Sequence, residues 1–321
     1  MNKPKVFLTR ELPSAVMARL EEVAELTFNP EDRVLSKEEI IARVKGKDAL
    51  LCLLTDSIDK EVLSANPGLK IVANYAVGYN NIDVQAAAEM GIPVSNTPGV
   101  LTETSADLAF ALIMAVSRRV VEADVYLRTG QWGGWGPLQF LGPDVHGATL
   151  GIVGLGRIGK AVAQRAKGFG MKVIYWNRTR LSREEEEKEG WTYLPLEELL
   201  KTADFVSLHV AYSSDTHHLI GPEELRLMKP EAVLINTARG AVVNEKALVE
   251  ALKEGQIWGA GLDVFEHEPA VERELLTMKN VVLLPHLGSA SVATRTKMGM
   301  MTIENILAAW KGDPIPNLVR P

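Results

Sequence analysis

Residues 149–170 read TLGIVGLGRIGKAVAQRAKGFG: an apolar strand-like start, a glycine turn and a helical face in immediate succession. Gly154, Gly156 and Gly159 fall in a G-x-G-x-x-G pattern. The pattern follows an apolar strand and opens a helix with Ile158, Val162, Ala166 and Phe169 along one face, and this context identifies a dinucleotide-binding turn where three glycines alone would not. Gly154 permits the tight turn, Gly156 keeps a side chain away from the place where backbone meets pyrophosphate, and Gly159 lets the helix close on the strand. The helix N-terminus attracts phosphate charge. Cofactor contacts are therefore expected along Gly154, Gly156, Arg157, Ile158 and Gly159.

Working outward, ATLGIVG, KVIYW, DFVSLHV, AVLIN, GAGLDV and VVLLPH are separated by helix-sized intervals. They predict a doubly wound, six-stranded parallel sheet, whose ligands bind beyond the carboxyl ends of the strands. Upstream, KVFLT (5–9), ELTF (25–28), ALLCLL (49–54), KIVANY (70–75) and IPVSN (92–96) alternate with helical segments and predict a second parallel sheet. SKEE supplies a helix start in which Ser36 caps the backbone and Glu39 reaches back to it. NTPGV breaks the rhythm near Gly99, and residues 102–128 read as one long connecting helix. SVATRTKMGMMTIENILAAW, after His286, reads as a helix with the option of returning to the first domain, which would make that domain discontinuous. The expected division is residues 1–99 with 288–321 as one domain and 100–287 as the other.

A chain of 321 residues with 46% apolar residues has ample core material for two domains. The formal charge of -6, with Lys and Arg scattered, gives no reason to expect nucleic acid as a partner. Cys52 lies inside the apolar run ALLCLLT and reads as a core residue. No run is long and apolar enough to span a bilayer, the start of the chain carries no apolar targeting region, and a cytoplasmic location is expected. His217 and His218 are adjacent, a spacing that on regular structure does not direct both rings to one ion. No cysteine or carboxylate cluster accompanies them, and no metal is expected.

Three residues at strand ends suit carbonyl chemistry. Arg239, in INTARGAVVNEKAL, is placed to grip a carboxylate and polarise a neighbouring carbonyl through paired donors. His286, in LLPHLG, is the side-chain type that trades a proton near neutrality. Glu268, in DVFEHEP, is placed to bond that imidazole and fix its tautomer, with His267 as the competing histidine. Asp263 ends the GAGLD strand, where it either accepts from a nicotinamide carboxamide or caps a turn. Further cofactor contacts are expected at Thr237, Ala238 and Arg239 and at His286, Leu287 and Gly288. The second strand of the nucleotide unit ends in YWNRTR, with no acid to hold an adenine ribose. Asn177, Arg178, Thr179 and Arg180 instead offer donors to a 2′-phosphate, so the corner suits NADP(H), with NAD(H) usable through the rest of the site.

In GIVGLGRIG, NTARGAVVNEKALVEAL, GAGLDVFEHEP and LLPHLGSAS, in that order, the sequence resembles the D-isomer-specific 2-hydroxyacid dehydrogenases, and most closely their glyoxylate and hydroxypyruvate reductases. The resemblance covers nearly the whole chain. It implies an α/β fold with a Rossmann-type domain inserted into a discontinuous, flavodoxin-like substrate domain, and a homodimer built on an arm of the inserted domain. It also implies that Arg239 binds substrate, that His286 is the acid-base with Glu268 as its partner, and that AVGYNNID brings the backbone amides of Val77 and Gly78 to the substrate carboxylate. QWGGWGPLQFLG (131–142) resembles the aromatic loop of the glyoxylate reductases, where Trp135, or Trp132 in its place, reaches the partner subunit's substrate site. The expected reaction is reduction of a small 2-oxo acid, glyoxylate first and hydroxypyruvate second. A dinucleotide-sensing corepressor on the same fold is the alternative from another class. A short-form D-3-phosphoglycerate dehydrogenase is the alternative within the family; the longer forms are disfavoured because no regulatory domain follows Pro321.

Overall fold

Alternating short apolar strands and helices in the first hundred residues build a parallel sheet of β1 (Lys5–Leu8), β2 (Glu25–Phe28), β3 (Ala49–Cys52), β4 (Ile71–Asn74) and β5 (Val94–Ser95). Its order is β2-β1-β3-β4-β5. The central β3 and β4 are buried at every position, which is why they read as unbroken apolar runs. Successive side chains go to opposite faces. Phe7, Leu50 and Val72 join one core, and Val6, Leu8, Leu51 and Ala73 the other. Helices α1 (Ser14–Val23), α2 (Lys37–Val44), α3 (Lys60–Ser64) and α4 (Val84–Glu89) cover the faces. The capping box of Ser36 and Glu39 opens α2, and Asp59 and Asp83 cap α3 and α4. Cys52 is fully buried, and burial pushes its thiol well above the ordinary range.

The following segment is α5 (Thr102–Ser117), α6 (Val120–Arg128), β6 (Thr149–Val153), α7 (Arg157–Lys167), β7 (Lys172–Trp176), α8 (Arg183–Glu189), β8 (Trp191–Tyr193), α9 (Leu196–Thr202), β9 (Phe205–Leu208), α10 (Pro222–Leu227), β10 (Val233–Asn236), α11 (Glu245–Lys253), β11 (Gly259–Leu262) and β12 (Val281–Leu283). Its sheet is parallel with order β12-β11-β10-β9-β6-β7-β8. The order reverses between β6 and β9, the switch point at which such sheets bind ligands. Two features differ from the sequence reading. A seventh strand, β8, extends the sheet beyond β7. The long connecting helix is broken after Ser117, where Arg119 takes a left-handed φ of 49° and its guanidinium pairs with Glu122. The backbone at Gly142 packs against the break, since a Cβ there would lie 1.9 Å from the Ser117 carbonyl oxygen.

The last helix is α12 (Val292–Lys311), capped by Ser291. It packs on α1 at Gly299, where a Cβ would lie 2.5 Å from Val16. The computed structural model, which describes residues 3–320, divides into two units: residues up to Leu101 together with those from Ser289, and Thr102–Gly288.

Candidate active site

The glycine turn lies between β6 and α7. Gly154 has a φ of +99°, and a Cβ there would lie 2.7 Å from the His209 and Val210 backbone at the exit of β9. At Gly159 a Cβ would meet the Gly154 carbonyl oxygen at 2.3 Å, so this glycine is required by packing. At Gly156 a Cβ would meet nothing within 4 Å, which leaves open space in front of a helix whose first turn has no side-chain cap. The N–H groups of Arg157 and Ile158 belong to that first turn. This is the arrangement a pyrophosphate needs.

Asn177, at the end of β7, accepts from the Leu155 amide at 2.6 Å and so props the glycine turn from the side. Arg178 and Thr179 are exposed. Arg180 is committed: its Nε and Nη2 donate to Glu186 at 2.8 and 2.6 Å, Tyr175 donates to the same carboxylate, and the guanidinium sits over the Tyr193 ring. Arg180 first, and the Tyr175 hydroxyl second, hold the Glu186 carboxyl down at about 2. Among the described residues Arg178 has no carboxylate partner, which leaves it as the available cation of the corner.

The turn after β10 is clasped by Asn236, whose side chain accepts from the Ala238 amide and donates to the Arg239 carbonyl. Thr237 Oγ1 is buried with no hydrogen-bond partner among the described residues. An orphaned buried hydroxyl at the end of a strand in the same sheet as the open glycine turn fits a site that a dinucleotide completes. Arg239 donates from Nη1 to the Ala238 carbonyl at 2.7 Å. Burial depresses its pKa and the nearby Glu268 charge acts in the opposite sense. Gly240 lets the chain at Phe265 approach, since a Cβ at Gly240 would lie 1.8 Å from the Phe265 carbonyl carbon. Neither Asn236 nor Gly240 stood out in the sequence, although an Asn closing an apolar strand before a turn is a signal of this kind.

His286 adopts a left-handed φ of 56° just beyond β12. Its Nδ1 meets Glu268 Oε2 at 2.9 Å, and Glu268 Oε1 accepts from the Phe265 amide. Burial raises the pKa of Glu268. The hydrogen bond and charge of His286, with the Phe265 amide and Arg239, outweigh it and leave the carboxyl below its ordinary range. Asp263 takes the turn-capping role: its two oxygens accept from the amides of Leu287 and Gly288 at 2.6 and 2.8 Å, and its carbonyl accepts from the His286 amide. Its buried carboxylate thus holds the loop that carries the histidine. His267 is exposed, and the histidine joined to Glu268 is His286.

His217 and His218 correct one expectation. Because His218 has a left-handed φ of 51°, the adjacent rings stack at 3.9 Å, and their nitrogens fall within 4.8 Å of each other and of a Glu266 oxygen. His218 Nε2 meets Glu266 at 2.6 Å, while Glu266 and Glu245 each accept from the other's amide. The pair clips the loop that leads to Glu268 onto the start of α11. In the other unit, Val77 and Gly78 follow β4 and are partly buried. Trp132 and Trp135 lie in the loop after α6, with Trp135 84% exposed.

Residues 110–288 match the family model described as D-isomer specific 2-hydroxyacid dehydrogenase, NAD binding domain. The chain is 58% identical to the glyoxylate reductase of Korarchaeum cryptofilum, covering 99% of this chain and 96% of that one. It is 53% identical to the glyoxylate reductase of Thermococcus litoralis, covering 99% and 97%. The crystal structure of an NADPH-dependent glyoxylate/hydroxypyruvate reductase from Sinorhizobium meliloti, in complex with NADP and malonate, is similar at a TM-score of 0.88 and 36% identity, covering 99% of this chain and 97% of that one.

Proposed function

We propose that this chain, which belongs to the D-isomer-specific 2-hydroxyacid dehydrogenase family, is a glyoxylate reductase that also accepts hydroxypyruvate. The observation that carries the reading is the hydrogen-bonded Glu268–His286 pair, in the same unit as the glycine turn and Arg239. A bound reduced nicotinamide supplies the hydride to the substrate carbonyl carbon. Glu268 occupies Nδ1 of His286, so Nε2 is the atom that delivers a proton to the carbonyl oxygen, and the imidazole takes it back in the reverse direction. Arg239 polarises that oxygen and grips the carboxylate, with the backbone amides of Val77 and Gly78 as further carboxylate donors. Asp263 holds the His286 loop through the Leu287 and Gly288 amides, one to each oxygen, and the lone pairs that remain let it also accept from the nicotinamide carboxamide.

NADP(H) is the proposed preferred cofactor, with Arg178 as the reader of the 2′-phosphate and Thr179 and Asn177 as hydroxyl and amide donors. The NADP-bound relative from Sinorhizobium meliloti supports this. The proposed assembly is a homodimer. Val120, Val121, Val125 and Leu127 on α6, with Trp135, Leu138 and Leu141 after it, expose apolar surface that a second copy would cover. A spectrophotometric panel of glyoxylate, hydroxypyruvate, pyruvate and phosphohydroxypyruvate with each reduced cofactor tests the reading. Turnover should be best with glyoxylate and NADPH. No turnover by a protein that binds the cofactor would overturn it.

A further inference from the structure

The carboxylate role proposed for Val77 and Gly78 requires their N–H groups to face one way, and something must hold them there. A trans peptide is planar, with its C=O and the following N–H antiparallel. A carbonyl that is pinned therefore aims the next residue's amide. The Ala76 carbonyl accepts from the Thr97 amide at 2.9 Å, and the Val77 carbonyl accepts from Asn96 Nδ2 at 2.8 Å. Both donors belong to the segment leaving β5. The N–H groups of Val77 and Gly78 consequently both face away from that segment, and among the described residues neither has an acceptor. Successive amides facing one way form a concavity that suits an anion.

Asn96 is the side-chain member of this pair, and it is itself fixed. Its amide donates to the Asn317 carbonyl at 3.2 Å, and its carbonyl accepts from Asn305 Nδ2 at 3.3 Å. Asn305 is fully buried on α12 and accepts from both the backbone and the side chain of Asn317. On the next peptide the Gly78 carbonyl accepts from Asn74 Nδ2 at 2.8 Å, and Asn74 also donates to Asn81. We propose that Asn96 is a positioning residue for substrate: by holding the Val77 carbonyl it aims the Gly78 N–H at the substrate carboxylate. The inference rests on the carboxylate role given above to Val77 and Gly78. It adds that affinity for the carboxylate is set by a side chain that does not touch it.

Asn96→Ala removes the donor and leaves the loop sequence intact. Asn96→Ser, too short to reach the Val77 carbonyl yet hydrophilic at this half-buried position, covers the case in which the Ala variant fails to fold. Either variant should raise the Michaelis constant for glyoxylate by about 10-fold, the scale of losing one charge-assisted hydrogen bond, with kcat changed by less than about 3-fold. Cofactor affinity should not move. Oxamate, a carboxylate probe that is not reduced, should bind the variant's cofactor complex about 10-fold more weakly by tryptophan fluorescence. A fall in kcat or in melting temperature with the Michaelis constant and oxamate affinity unchanged would show a merely structural residue and overturn the proposal. If the unaltered protein fails to reduce glyoxylate, the activity reading falls and the oxamate titration still decides this one. Equal oxamate affinity in the two proteins, or no binding to the unaltered one, overturns the positioning role.

Discussion

At the scale of single residues, the site is a set of ordinary side chains placed by backbone that other side chains have shaped. His286 has a left-handed backbone that a histidine rarely adopts, and Asp263 sustains it by accepting from the two amides that follow. Glu268 then engages Nδ1 and leaves Nε2 as the nitrogen proposed to move the proton. His286→Ala should therefore lower kcat by about 100-fold or more while cofactor affinity stays close to that of the unaltered protein. Stopped-flow or steady-state assays with glyoxylate check this, and near-normal turnover would remove His286 from the mechanism. Arg239 and His286 stand out in the sequence because charged and titratable residues soon after apolar strands are unusual, and the contact of Glu268 with His286 is what the structure adds. The role of Asp263 does not stand out, since an acid at a strand end serves a ligand or a turn equally well until the amides it meets are known.

Elements distinguish residues that look equivalent in the sequence. Arg178 and Arg180 are indistinguishable in YWNRTR, but α8 brings Glu186 under Arg180 and occupies it with two hydrogen bonds. Arg178→Ala alone should shrink a preference for NADPH over NADH by about 10-fold, the scale of one lost charge-assisted bond. Arg180→Ala should lower the melting temperature more than it alters cofactor choice. A preference that survives Arg178→Ala but not Arg180→Ala would reverse the assignment. The arm makes a similar point. No proline or glycine marks the break at Arg119, so periodicity alone predicts one helix; the left-handed Arg119, its pairing with Glu122 and the close approach of the chain at Gly142 accompany the break. Beyond that break α6 has no buried residue, and the loop after it carries Trp135. If Trp135 reaches a partner's substrate site, Trp135→Ala should change selectivity among oxo acids and leave the dimer intact in sedimentation. Loss of the dimer with unchanged selectivity would make it a packing residue.

At the scale of the whole molecule, the two parallel sheets were legible because strands buried on both faces must be apolar throughout, and the helices between them have one apolar face. The seventh strand is not legible in the sequence because WTY is three residues long and follows an acidic helix, so its pairing with β7 is what makes it a strand. The same deep packing sets a limit on acid stability. His209, at the exit of β9, keeps part of its surface open, yet its ring is crowded by protein and shares a hydrogen bond with Ser207. Burial lowers its pKa from 6.5 to about 4. Well above pH 6.5 the ring is neutral in the folded and the unfolded chain and contributes no pH dependence. As pH falls from 6.5 to about 4, the unfolded chain takes up a proton that the folded protein refuses, so stability drops. The slope is at most about 1.4 kcal/mol per pH unit. Asp263 and Glu245, whose carboxyls burial holds above their ordinary range, act in the opposite sense, since the folded protein takes up their protons first. His209→Gln, which keeps a partner for Ser207 and cannot be protonated, isolates the histidine's share. Its melting temperature should run parallel to that of the unaltered protein at neutral pH and fall less steeply across the acid window. Calorimetric curves that stay parallel down to pH about 4 would show that His209 is protonated in the folded protein as readily as in the unfolded chain.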